Sequence, residues 1–162
     1  MFNEILVMML FMGIVDDFCL QPIILAKLKQ KKFWLENAPD KKYRHDHIMA
    51  GLIHGFSWTV MMLAPLWWYG LLPSGWLFVS VIGINTLVHA YIDNMKANRL
   101  SINLWIDQLL HVIQVLITWL AFTRSDLDKV VCVWLVGGSL MLLVMSVDFV
   151  YTQLTKRKRR LE

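Results

Sequence analysis

The chain has 162 residues, of which 57% are hydrophobic and only 17% charged, with eight Trp, ten Met and a formal net charge of +4. A soluble domain of this length would carry more charge and fewer long apolar runs, so composition points to an integral membrane protein with the bilayer as its solvent. One helical domain over residues 1–155 and a basic tail over 156–162 is the expected organisation. Cys19 and Cys132 both lie in apolar runs, so neither reads as part of a disulfide framework or a zinc knuckle. Met1-Phe2-Asn3-Glu4 offers no basic start and no small-x-small site follows, so no cleaved signal peptide is expected.

Five apolar segments follow in order, each near the ~20 residues that cross a bilayer as a helix. They cover about 5–28, 47–69, 76–95, 104–122 and 130–154. Asp16 and Asp17 interrupt the first, and Pro73-Ser74-Gly75 turns the chain between the second and third. None shows the alternation of a barrel strand, and only helices satisfy their own backbone in lipid without closing a barrel. The expected fold class is therefore all-α, a five-helix transmembrane bundle.

Orientation follows from the basic residues. The first loop holds Lys27, Lys29, Lys31, Lys32, Lys41, Lys42 and Arg44, the third holds Lys96 and Arg99, and the tail reads K-R-K-R-R over 156–160. The second loop has no basic residue, and in the fourth Arg124 and Lys129 are diluted by Asp126 and Asp128. The positive-inside rule then predicts the N-terminus outside and the C-terminus cytoplasmic. Basic cytoplasmic loops also attract anionic lipid headgroups, so the net charge requires no nucleic-acid partner.

This topology gives the ionisable residues a common depth. Asp17 lies towards the cytoplasmic end of the first segment; His47 opens the second, with His54 two turns deeper on the same face. His89 and Asp93 end the third, Asp107 and His111 open the fourth, and Asp148 nears the end of the fifth. A charged side chain at the bilayer centre costs about 2.5–3.5 kcal/mol on insertion scales, which mutual pairing or a shared cation offsets. The stretch His89–His111 carries the sharpest signal, with His89/Asp93 and Asp107/His111 as two i,i+4 pairs flanking a short polar turn. Residues four apart share a helix face, so a helical hairpin can turn both pairs inward as metal ligands.

Each residue also has a plainer reading. His45 and His47 can sit at the interface, and His54 can serve as packing glue. Asp16 can face an aqueous vestibule, and Asp148 can pair with the tail. Lys96 can be a topology residue or an ion-pair partner of Asp93 three residues before it. The tryptophans fit an interfacial belt and packing better than a cofactor cage.

The run H-x3-D-N-x-K-x-N over 89–98, followed by D-Q-x2-H over 107–111, resembles a family of small bacterial and phage membrane proteins catalogued as domain of unknown function 3307. Asp17-Phe18-x-Leu20-Gln21 looks like its first motif and Leu52-Ile53-His54-Gly55 like its second. The likeness covers nearly the whole chain and implies a multi-pass protein of the bacterial inner membrane. The family is also similar in style to membrane-bound metal-dependent hydrolases that carry His and Asp at cytoplasmic helix ends. Relatives often have a histidine one turn before the first-motif Asp and another before the second-motif His. Gly13 and Ala50 stand there in this chain, with His47 close enough to substitute for the second, so the resemblance implies fewer donors for a two-ion site.

Three functions compete. The first is a metal-dependent hydrolase acting on a lipid or other phosphoester at the cytoplasmic interface. His47, His54, His89, Asp93, Asp107 and His111 would be ligands for one or two Zn²⁺, Mn²⁺ or Fe²⁺ ions, with Asp17 as ligand or general base. Lys96 would hold a substrate phosphate, while Gln21, Asn94 and Gln108 would orient substrate or ligands. The second is a cation- or proton-translocating protein, which predicts access from both faces. The third is a non-enzymatic phage-related protein (holin-like, immunity or scaffold) in which the cluster only locks the bundle. Membrane lipid, through anionic headgroups, is the expected partner, along with a second copy of the chain.

Overall fold

The computed structural model describes residues 2–38, 40–99, 102–123 and 127–159. Among these it is helical throughout, with no strand. The helices are α1 (Phe2–Val15), α2 (Ile23–Leu28), α3 (Lys31–Asn37), α4 (Asp46–Trp68), α5 (Gly75–Asn94), α6 (Leu104–Thr123) and α7 (Lys129–Arg159). Two π-helical turns, Asp16–Leu20 and Met95–Arg99, extend α1 and α5.

Among the described residues, four helices are long and apolar enough to cross a membrane: Asp46–Trp68, Gly75–Arg99, Leu104–Thr123 and Lys129–Val150. Their outer faces carry exposed side chains such as Ile53, Phe56, Leu87, Leu109, Leu142 and Phe149. Apolar surface on that scale is unstable in water and suits lipid.

The expected first segment, 5–28, does not form one helix. Pro22 has no N–H to donate and holds Gln21 in an extended conformation (ψ 104°), so the helix ends at Leu20 and α2 starts afresh at Ile23. At the other end of the chain, α7 does not stop at Leu154 but continues to Arg159, into the stretch expected as a tail. Arg160 of the tail, and Arg124 and Asp126 of the fourth loop, lie outside the described residues.

Neighbouring helices touch in a closed circuit, α1 on α4, α4 on α5, α5 on α7, α7 on α6 and α6 on α1. The α4–α5 crossing is the tightest point for which the sequence supplies a visible cause. A Cβ at Gly55 would lie 2.8 Å from the Thr86 carbonyl oxygen, so only glycine lets the two backbones approach there. The interior divides along the helix axes. One end is an apolar core of Ile5, Met9, Met62, Leu66, Val115, Phe122 and Leu140. The other end is polar, and there the turns are locally specified. Asn103 caps α6 by accepting the Ile106 N–H at 2.9 Å, which places Asp107 in the first turn, where the helix dipole favours a carboxylate. At the apolar end α4 closes with Gly70 in the left-handed region (φ 64°), its N–H bonding Trp67 and that of Leu71 bonding Leu66.

Candidate metal centre

Four elements deliver the polar end. The π turn after α1 contributes Asp16 and Asp17, α4 contributes His54 and Ser57, α5 contributes His89 and Asp93, and α6 contributes Asp107 and His111. A π turn changes which side chains face inward and is frequent at functional sites. Here it lets two adjacent aspartates grip opposite edges of one imidazole. Asp17 Oδ1 lies 3.1 Å from His54 Nε2, and Asp16 Oδ2 lies 3.5 Å from His54 Nδ1. Ser57 donates to the other oxygen of Asp16 at 2.6 Å. Asp16 is 1% exposed, so it does not face a vestibule as its plainer reading expected.

The remaining contacts converge on Asp93. Its Oδ2 lies 3.6 Å from His54 Nε2 and 3.7 Å from His89 Nε2, while its Oδ1 lies 3.7 Å from His111 Nε2. Asp17 Oδ1 reaches His89 Nε2 at 3.9 Å, and Asp107 Oδ1 reaches His111 Nε2 at 3.6 Å. Apart from the 3.1 Å His54–Asp17 contact these separations are too long for hydrogen bonds. They do suit ligands of a common ion, because two donors about 2.0–2.2 Å from a tetrahedral metal lie roughly 3.3–3.6 Å apart. Two trios, Asp17–His54–His89 and His89–Asp93–His111, each place one donor atom per residue within 4.8 Å of the others.

Burial makes the case sharper. His89 and His111 are 0% and 4% exposed, and all four of their ring nitrogens lack a hydrogen-bond partner among the described residues; so does Asp107 Oδ1. Buried polar atoms are nearly always satisfied, and each orphan costs about 1–3 kcal/mol. A cation among them supplies a partner for the two Nε2 atoms and for Asp107 Oδ1, so the residues present fit a divalent metal. Trp58 shields the cluster from the apolar core, stacked on His89 with ring centroids 4.3 Å apart. A Cβ on Gly13 would sit 3.2 Å from the Trp58 indole nitrogen, so the place where relatives are expected to carry a histidine is taken up by this ring.

Two lysines complete the charge pattern. Lys29 Nζ donates to Asp93 Oδ2 at 2.6 Å, and Lys96 Nζ donates to Asp107 Oδ2 at 2.7 Å. Lys96 thus pairs across the hairpin rather than with Asp93 on its own helix. Asn98 holds Lys29 in place: its Nδ2 donates to the Lys29 carbonyl and its Oδ1 accepts the Lys31 N–H. A cleft of about 520 Å³ opens over the site, lined by Asp17, Asp93 and Asp107 and by the two lysines. Gln21 and Gln108 line the same cleft, as do Phe18, Ile23 and Leu104, which are exposed on the outer surface.

The expected site residues are therefore gathered unevenly. Asp17, His54, His89, Asp93, Asp107 and His111 come together, with Lys96, Gln21 and Gln108 at the cleft, where Gln108 donates to Asp107 Oδ2 at 3.1 Å. His47 does not join the donor groups; it lines a neighbouring crevice of about 210 Å³ between α4 and α5, which Lys29 and Asp93 also border. Asn94 faces that crevice too and accepts a hydrogen bond from Asn98. Asp148 pairs with Arg99 at 2.9 Å, away from the cluster, and the tail side chains expected as its partners lie outside the described residues. Sequence reasoning missed Lys29, Ser57, Trp58 and the role of Asp16. Trp58 stands four residues after His54 on one helix face, a legible signal; Lys29 sits among many loop lysines and has none.

Fold and site together define an all-helical protein with membrane-length apolar helices and buried His/Asp groups able to hold a metal ion. The profile of the family described as Protein of unknown function (DUF3307) matches residues 5–136, and the chain belongs to that family. No curated protein and no solved structure matches it.

Proposed function

We propose that this protein is a membrane-embedded metal-dependent hydrolase that cleaves a lipid or other phosphoester at the cytoplasmic face. The observation that carries the reading is the set of buried, unpartnered donor atoms on His89, His111 and Asp107, set behind Asp93 and Asp107, which line a cleft with Lys29 and Lys96. A bound divalent ion would polarise the phosphoryl oxygen and acidify water in the cleft. The chain's own residues do the rest. Asp16 holds the His54 ring so that Nε2 faces the centre, the lysines attract an anionic phosphate, and Trp58 keeps the apolar core dry beneath. Phe18, Ile23 and Leu104 put apolar side chains at the mouth of the same cleft, which favours a substrate with a lipid tail.

The same reading takes α1 with its π turn, residues 2–20, as a fifth crossing. At 1.5 Å per residue it is about 28 Å long, close to a hydrocarbon core of about 30 Å. The N-terminus is then outside, and the site lies on the cytoplasmic side of a bacterial inner membrane, level with the lysine-rich loop. Exposed Trp67, Trp68 and Trp76 at the opposite end fit an outer aromatic belt. Detergent-purified protein loaded with Mn²⁺ or Zn²⁺ should release phosphate from phosphatidic acid or a soluble phosphomonoester, and chelation should stop it. Protein that retains no metal after reconstitution, or that holds metal and leaves a broad panel of phosphoesters intact, refutes the hydrolase.

Cation translocation draws on a different observation, the buried Asn85–Gln114–Thr118 group one to two turns deeper than the histidines. It predicts ion flux into liposomes, which the hydrolase reading does not.

A further inference from the structure

The two oxygens of Asp93 look in different directions. Oδ2 faces His54 and His89, and Oδ1 faces His111, which in turn faces Asp107. An imidazole nitrogen binds one metal, so His89 Nε2 cannot complete both trios at once. If it closes a position with Asp17 and His54, then His111 Nε2 and Asp107 Oδ1 remain as buried donors with no hydrogen-bond partner among the described residues. They are 4% and 1% exposed and lie 3.6 Å apart. One ion at that position leaves these two donors orphaned; a second ion engages them, so that all six residues serve.

We infer that the centre is dinuclear, with Asp93 as the bridging carboxylate. One position is held by Asp17, His54 and His89, the other by His111 and Asp107, and Asp93 gives one oxygen to each. A carboxylate bridging through both oxygens suits the spacing of about 3.5–4 Å found in two-metal hydrolytic sites. Charge supports it as well. Asp16, Asp17, Asp93 and Asp107 supply four negative charges, which two divalent cations balance, and Lys29 and Lys96 add two positive ones. The surplus is positive, as binding a phosphate anion requires. The absence of histidine at positions 13 and 50 does not deplete this set, because Trp58 fills the space beside Gly13 and the six donors come from elsewhere.

This inference rests on the metal-site part of the proposed function, and its test separates the two. The full chain, purified in detergent and equilibrated with Mn²⁺, is measured for metal content and by electron paramagnetic resonance. The expected result is two Mn²⁺ per chain with the spectrum of an exchange-coupled pair. His111→Ala and Asp107→Asn should each fall to one Mn²⁺ per chain with an uncoupled six-line spectrum, at unchanged helical content. His54→Ala should do the same by emptying the other position. One uncoupled Mn²⁺ in the wild type overturns the dinuclear centre and leaves a mononuclear hydrolase standing; no Mn²⁺ and no Zn²⁺ overturns both. If a variant fails to fold, the wild-type stoichiometry and coupling still decide.

Discussion

Two buried polar layers cross this bundle, and they are built differently. The deeper one is neutral. Gln114 Nε2 donates to the carbonyl and side-chain oxygens of Asn85 at 2.9 and 3.1 Å, and Thr118 donates to Asn85 Oδ1 and to the Gln114 carbonyl. The layer above it, one turn along α5 and α6, is charged, and most of its His–Asp separations are 3.6–3.9 Å. The first layer is joined by short hydrogen bonds that bind α5 to α6, with only Gln114 Oε1 among its side-chain atoms lacking a partner among the described residues. The second is held open, with its donors aimed at common points. Burial alone does not separate a site from interhelical glue; the spacing of the polar atoms does.

The contrast is sharpest at His89. His89→Ala should lower bound Mn²⁺ from two ions per chain to one and lower phosphoester hydrolysis by on the order of 10³-fold, since a metal's Lewis acidity is worth several kcal/mol. Without metal its thermal unfolding in detergent should fall only by the packing lost against Trp58 and His111, because the imidazole has no hydrogen bond to lose. A variant that unfolds yet, where folded, keeps its metal would make the charged layer glue as well. Asp16→Asn should act less strongly. The amide keeps the shape but not the charge behind His54, so metal affinity should drop about 10–100-fold, read by competition with a chromophoric chelator. Lys96→Met comes next. It should raise KM for an anionic substrate roughly 10-fold with kcat little changed, and Lys96→Arg should recover most of that loss. A kcat that falls while KM holds would place Lys96 with Asp107 as a positioning residue instead.

Much of this was legible in the sequence because helices convert spacing into direction. The i,i+4 pairs His89/Asp93 and Asp107/His111 fix two faces, and the hairpin turns them together. The four apolar helices begin and end close to where hydropathy placed them. What escaped depends on local departures from α-helix geometry. Pro22 ends the first segment early, and the π turn before it swings Asp16 inward, although a regular helix would send it to a different face from Asp17. His47 shares a face with His54 by spacing, yet its two-turn offset puts it in another crevice. Lys29 is brought in by the fold of a loop and by Asn98 nearly seventy positions away, a contact no periodicity announces.

The smallest effect is expected in the deeper layer, and it is the one that tests the comparison from the other side. Asn85→Leu and Gln114→Leu remove hydrogen bonds between α5 and α6 from an otherwise apolar surround. Such bonds inside membranes average about 0.6 kcal/mol and reach about 1.7 kcal/mol, because the separated helices find other partners in the lipid-embedded state. Each variant should therefore lower thermal stability slightly, and the double variant by less than the sum, since both act on one contact. Metal content and hydrolysis should stay within about twofold of wild type. Asn85 lies one turn below His89 on the same helix face, so this is a demanding expectation. Were either substitution to empty the metal site, the two layers would form one continuous network, and the proton- or cation-conducting reading would gain the path it needs.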